Sequence, residues 1–112
     1  MENFLDKCYK RLEAGAREYG DRSFYKGSDA LVEEIKEEAY DVANWAAVMS
    51  CTGINPEAEL ILKTVANKAQ EIADILEKSR HAGLFDDRKV PEIGTPGLAV
   101  SASDWLTKNL SG

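Results

Sequence analysis

The chain has 112 residues, room for one hydrophobic core and too little for two domains of ordinary size. Acidic residues outnumber basic ones, and the net charge of -6 argues against unspecific attraction to nucleic-acid polymers or anionic membranes. No apolar run is long enough to span a bilayer and the N-terminus lacks a signal-peptide core, so a cytoplasmic location without a membrane partner is expected. The two cysteines, Cys8 and Cys51, have no metal-ligand spacing and read as free thiols of a reducing compartment.

In chain order, the pattern is helix after helix. From about Glu2 to Tyr19, Phe4, Leu5, Cys8, Leu12, Ala16 and Tyr19 recur every three or four residues, as on an amphipathic helix. Gly20 stops it. The loop from Gly20 to Gly27 is rich in turn residues, yet Phe24 and Tyr25 predict that it folds back onto the core. Ser28 or Asp29 is positioned to cap a second helix reaching about Ser50. Its apolar face is expected to be Leu31, Ile35, Ala39, Val42 and Ala46, and its segment 42–49 carries no charge. Asn55 and Pro56 then read as N-cap and first position of a third helix. That helix runs to about His81 with Gly83 as its stop, and Ala58, Ile61, Val65, Ala69, Ile72 and Leu76 are its expected core face. Residues 84–97 are too rich in glycine, proline and charge for a helix. Leu98–Ser101 reads as a short strand or extended arm, and Ser103 as the cap of a final turn ending near Leu110.

The expected fold is therefore all-α: a helical bundle around a long antiparallel pair, completed by dimerisation, with an irregular C-terminal tail. Residues 1–83 form the helical domain. Residues 84–112 form an extended tail with a short C-terminal helix, packed on the same domain or on a partner subunit. A homodimer or homotetramer follows from the uncharged segment 42–49, which asks for more burial than three helices supply.

The second helix also concentrates carboxylates. Glu33, Glu34, Glu37, Glu38 and Asp41 fall within nine positions. At roughly 100° per residue, Glu34, Glu38, Asp41 and Trp45 lie within about 60° of one another. Two carboxylates ~4 Å apart repel by about 4 kcal/mol at an effective dielectric near 20, so such a row suggests a bound cation. A solvated acidic surface is the plainer alternative. With the connection centred near Gly53, Glu71 and Asp74 of the third helix come level with Lys36 and Glu33. Two facing carboxylate pairs would suit the hard oxygen chemistry of Mg²⁺, with Mn²⁺ as a substitute. Salt bridges Asp74–Lys78 and Glu59–Lys63 are the ordinary alternative for these side chains.

The run Glu37-Glu-Ala-Tyr-Asp-Val-Ala-Asn-Trp-Ala-Ala-Val-Met49 resembles the MazG-like all-α nucleoside triphosphate pyrophosphatases. The resemblance spans about Arg17 to Arg80 and includes the Tyr-Gly-Asp-Arg-Ser-Phe loop, which is similar to that of small MazG-like proteins from phages and bacteria. Glu33-Glu34-Ile-Lys-Glu37 resembles the family's Glu-Glu-x-x-Glu motif, and Glu71-Ile-Ala-Asp74 its Glu-x-x-Asp motif. The interval between them is long for the family, and Glu38-Ala-Tyr-Asp41 is a second candidate for the Glu-x-x-Asp motif. The resemblance implies magnesium-dependent release of pyrophosphate from a nucleotide substrate. Glu34, Glu37, Glu38, Asp41, Glu71 and Asp74 would then be metal ligands, with Glu34, Glu38 and Asp41 as the catalytic set. Arg22, Lys26, Lys78 and Arg80 would meet phosphate, and Trp45 would stack on a base. The competing reading is a non-catalytic helical homo-oligomer that binds a protein partner or serves a structural role, with Trp45 in a core or interface.

Overall fold

A computed structural model describes residues 2–110, and all regular structure among them is helical. Four α-helices follow in order: α1, Phe4–Tyr19; α2, Ser28–Ser50; α3, Pro56–His81; and α4, Leu98–Asn109. A single 3-10 turn, Arg22–Tyr25, separates α1 from α2.

The helix ends follow from local chemistry. Asn3 caps α1, its side chain accepting from the Asp6 N–H at 2.9 Å while the Asp6 carboxylate returns the bond to Asn3. Asn55 does the same service for α3, accepting from the Ala58 N–H at 2.9 Å ahead of Pro56. Gly83 stops α3 with φ at +74°, where a Cβ would come within 2.8 Å of the Asp86 carboxylate. Neither Ser28 nor Asp29 caps α2. Gly27 is the N-cap and makes no side-chain bond, so the helix begins at Ser28.

The extended arm expected at Leu98–Ser101 is instead the start of α4. Gly97 enters it at φ +75°, a left-handed turn that lets the chain leave Pro96 and begin a helix at once. Leu98, Ala102, Leu106 and Leu110 then recur at helical spacing and are half-buried.

The chain divides into two compact units: a central one, Gly27–Arg88, and a terminal one made of the described residues on either side of it. The terminal unit joins α1 to α4, with Leu5, Cys8, Leu12 and Ala16 half-buried on α1. Tyr9 and Thr107 share a hydrogen bond between the two helices, and the Tyr25 hydroxyl accepts from the Gly94 N–H at 3.0 Å. Phe24 and Tyr25 of the 3-10 turn are half-buried, as expected for a loop that folds back.

The central unit is α2 against α3. Its fully buried residues are Val32, Ala39 and Ala46 on α2 and Ala69 on α3. Around them, positions 32, 36, 39, 43, 46 and 50 on α2 alternate by four and three, as do 62, 66, 69, 73, 76 and 80 on α3. Seven of these twelve positions carry alanine or serine, so the helices meet backbone to backbone with little side chain between them.

This seam corrects the expected core faces. Only Ala39 and Ala46 of the α2 set are fully buried, while Ile35 is 49% and Val42 43% exposed. On α3, Ala69 is buried but Ile61, Val65 and Ile72 are 38–63% exposed. The large apolar residues stand beside the seam, because a closely approached helix pair has room only for small residues at its centre.

Candidate functional site

The best-organised polar cluster in the central unit joins the beginning of α2 to the end of α3. Lys36 Nζ lies 2.8 Å from Glu77 Oε2 and 3.4 Å from Glu33 Oε1. Arg80 donates to the same Glu33 oxygen at 2.8 Å and to Glu77 Oε1 at 2.7 Å. Two acids and two bases thus alternate in a closed ring, with the Lys36 side chain only 12% exposed. The Arg80 and Lys36 hydrogen bonds, in that order, hold the Glu77 carboxyl down to about 2. Glu77 in turn raises Lys36, and it raises Arg80 as well. At the other end of the pair the Ser50 hydroxyl bonds Glu59.

Long side chains make pairings other than the expected ones, while Ser50 with Glu59 keeps this end of the helix pair within two residues of the expected alignment. Lys36 reaches Glu77, nearly two turns beyond Glu71. Glu71 pairs with Lys68 at 3.4 Å, and Glu59 is engaged by Ser50 in place of Lys63.

The acidic row lies elsewhere on α2. Glu34, Glu38 and Asp41 are all exposed, about 100–160° around the helix from the Val32–Ala39–Ala46 line that meets α3. Asp41 and Trp45 line a shallow hollow with Asn44 and Val48, and Trp45 is 69% exposed. Glu37 is exposed as well. Asp74 borders a different hollow, on one flank of the seam, with Lys36, Tyr40, Asn67, Gln70 and Glu77 around an alanine floor and a volume of about 530 Å³. Lys78 is exposed, whereas Arg80 belongs to the charged ring. Arg22 and Lys26 belong to the terminal unit, where the Arg22 Nε–H donates to the Tyr19 carbonyl at 3.0 Å and the guanidinium lies 5.7 Å from the Tyr19 ring centre.

Glu34, Glu38 and Asp41 therefore share one exposed side of a single helix, and Glu71 and Asp74 do not face them. Among the described residues, no three His, Cys, Asp or Glu side chains come together as metal ligands.

Sequence reasoning missed Glu33, Lys36 and Glu77 as a unit with Arg80, and it missed Asn67 and Gln70 around the hollow, which Tyr40 also lines. The alternation of four and three in the small residues was the signal that identifies the seam. From it, Lys36 and Glu77 fall at the seam's border, where a lysine and a glutamate on facing helices are drawn together.

No known family model, curated protein or solved structure matches this chain. No helix among the described residues is long and apolar enough to cross a membrane.

Proposed function

We propose that the chain acts as a homodimer in which two copies bury the same face of their antiparallel α2–α3 pairs, forming a four-helix core, and that it serves as a protein-binding or structural module. The observation that carries this reading is the exposure of Ile35, Val42 and Met49 on α2 and of Ile61, Val65 and Ile72 on α3, between 38% and 63% each. Around each helix these residues fall on the flank away from the 530 Å³ hollow, so they form one continuous apolar face of the pair. A helix of 23 residues is about 35 Å long, and two packed helices are about 20 Å wide, giving a face of roughly 700 Å². That is near the roughly 800 Å² per partner of a stable interface, and above the few hundred Å² that monomers commonly leave open.

Light scattering at micromolar concentration tests the proposal. The wild-type chain should have twice the 12.4 kDa protomer mass, and Ile72→Glu should be a monomer that keeps its helical content. A monomeric wild type overturns the reading.

A second reading keeps the resemblance to MazG-like enzymes: magnesium-dependent hydrolysis of a nucleoside triphosphate to the monophosphate and pyrophosphate. The observation in its favour is the exposed line of Glu34, Glu38 and Asp41 beside the hollow at Trp45. On this reading the metal shell is completed by groups outside the single copy. The assay is pyrophosphate release from a panel of nucleotides with Mg²⁺ or Mn²⁺, comparing wild type with Glu34→Gln. Turnover lost in the variant supports it, and absence of turnover throughout the panel removes it.

A further inference from the structure

We infer that the hollow on the flank of the α2–α3 seam binds an organic cation, a primary ammonium carried on an aliphatic stem. The site lies on the flank away from the apolar face, so it does not depend on the dimer proposed above.

The floor and the border of this hollow differ in chemistry. Five alanines form the floor: Ala39 and Ala43 on α2, and Ala66, Ala69 and Ala73 on α3. Their methyl groups offer apolar contact without filling the space, and 530 Å³ lies in the usual range for small-molecule sites. Tyr40 borders the hollow from α2, and Asn67, Gln70 and Asp74 border it from α3. Tyr40 and Gln70 each stand about 100° around their helices from a buried seam alanine, so they overlook the floor from opposite banks.

Charge selects the sign of the ligand. Lys36 and Glu77 also line the hollow, yet both are engaged in the ring with Glu33 and Arg80, where two acids balance two bases. Asp74 is the remaining charge on the border, and no described residue bonds its carboxylate. An open carboxylate beside an apolar floor is the electrostatic complement of a cation. A primary ammonium has three N–H donors. Asp74 can accept one of them, and the side-chain carbonyls of Asn67 and Gln70 can accept the others. Neither amide bonds another described residue, so no existing bond has to break. The Tyr40 ring offers its electron-rich face to the same cation. Methylenes next to the ammonium would lie on the alanines, as a lysine stem lies on apolar surface.

Nuclear magnetic resonance titration with 1-aminohexane tests the inference. The side-chain amide signals of Asn67 and Gln70 should shift to saturation. Hexanol and hexanoate, which keep the stem without the positive charge, should leave them in place. Asp74→Asn should weaken amine binding by about tenfold or more. Asp104→Asn, which removes the same charge from an exposed position on α4, should leave it unchanged. Equal weakening in the two variants would overturn the inference by showing attraction to net charge alone. Hexanol shifting the signals as the amine does, or an amine titration without saturation, would overturn it as well. Nα-acetyl-lysine amide then separates two sources of the cation. If it binds like the free amine, the site receives a lysine of a protein partner; if only the free amine binds, the ligand is a small molecule. Either result sustains the cation site.

Discussion

The two units of this chain are held by different forces. Among the described residues, every fully buried apolar one lies in the central unit, in the seam of Val32, Ala39, Ala46 and Ala69. None of the described residues of the terminal unit reaches that degree of burial, and its long-range hydrogen bonds run through Tyr9 with Thr107 and Tyr25 with Gly94. Both units are helical, yet one depends on how closely two backbones approach and the other on half-buried leucines and a few polar ties. Substitutions that change volume should therefore act on the central unit, and those that delete a hydroxyl on the terminal one.

The largest effect is expected from Ala69→Leu. Forcing three extra carbons into a seam at 3% exposure should destabilise the central unit by about 1–3 kcal/mol, measured by urea unfolding. The same change at exposed Ala47 should move stability by less than about 0.5 kcal/mol. Equal costs at both positions would mean that the seam is not tightly packed.

Next comes Asn55→Ala, which removes the side-chain cap at the start of α3 and should cost about 1 kcal/mol. In the terminal unit, Tyr25→Phe deletes the bond to Gly94 and should cost roughly 0.5–1 kcal/mol. Hydrogen exchange sharpens the contrast, because Tyr25→Phe should speed exchange in the segment around Gly94 while leaving the amides of α2 and α3 unchanged.

The smallest effect concerns the ring of charges. Glu77 is held at about 2, below its ordinary value of 4.5, so its contribution to folding is fully present above pH 4.5. It is lost as pH falls from 4.5 towards 2. The loss should be modest because these side chains are partly exposed and solvent screens them. Glu77→Gln should flatten the pH dependence of stability over that window. An unchanged slope in the variant would show that Glu77 does not hold the helix ends together.

The helices themselves were legible in the sequence. Gly20, Asn55, Pro56 and Gly83 act through their own backbone preferences, which a reader can assign without knowing the neighbours. That is why the spans of α1, α2 and α3 were found nearly to the residue, and why the chain was read as all-helical. The span of α4 was not, because Leu98-Ala-Val-Ser suits strand or helix equally until α1 is present to receive Leu98, Ala102 and Leu106.

Which face each helix buries was decided only in three dimensions. Hydrophobicity pointed to Ile35, Val42, Ile61 and Ile72, whereas the α2–α3 contact chose the alanines, since close approach rewards small volume over apolar area. The acidic row on α2 was equally plain in the sequence, but the partners of its members were not. The long Lys36 side chain reaches Glu77, and not Glu71. That choice is made by how the side chains lie across the seam, and no residue in either helix carries it alone.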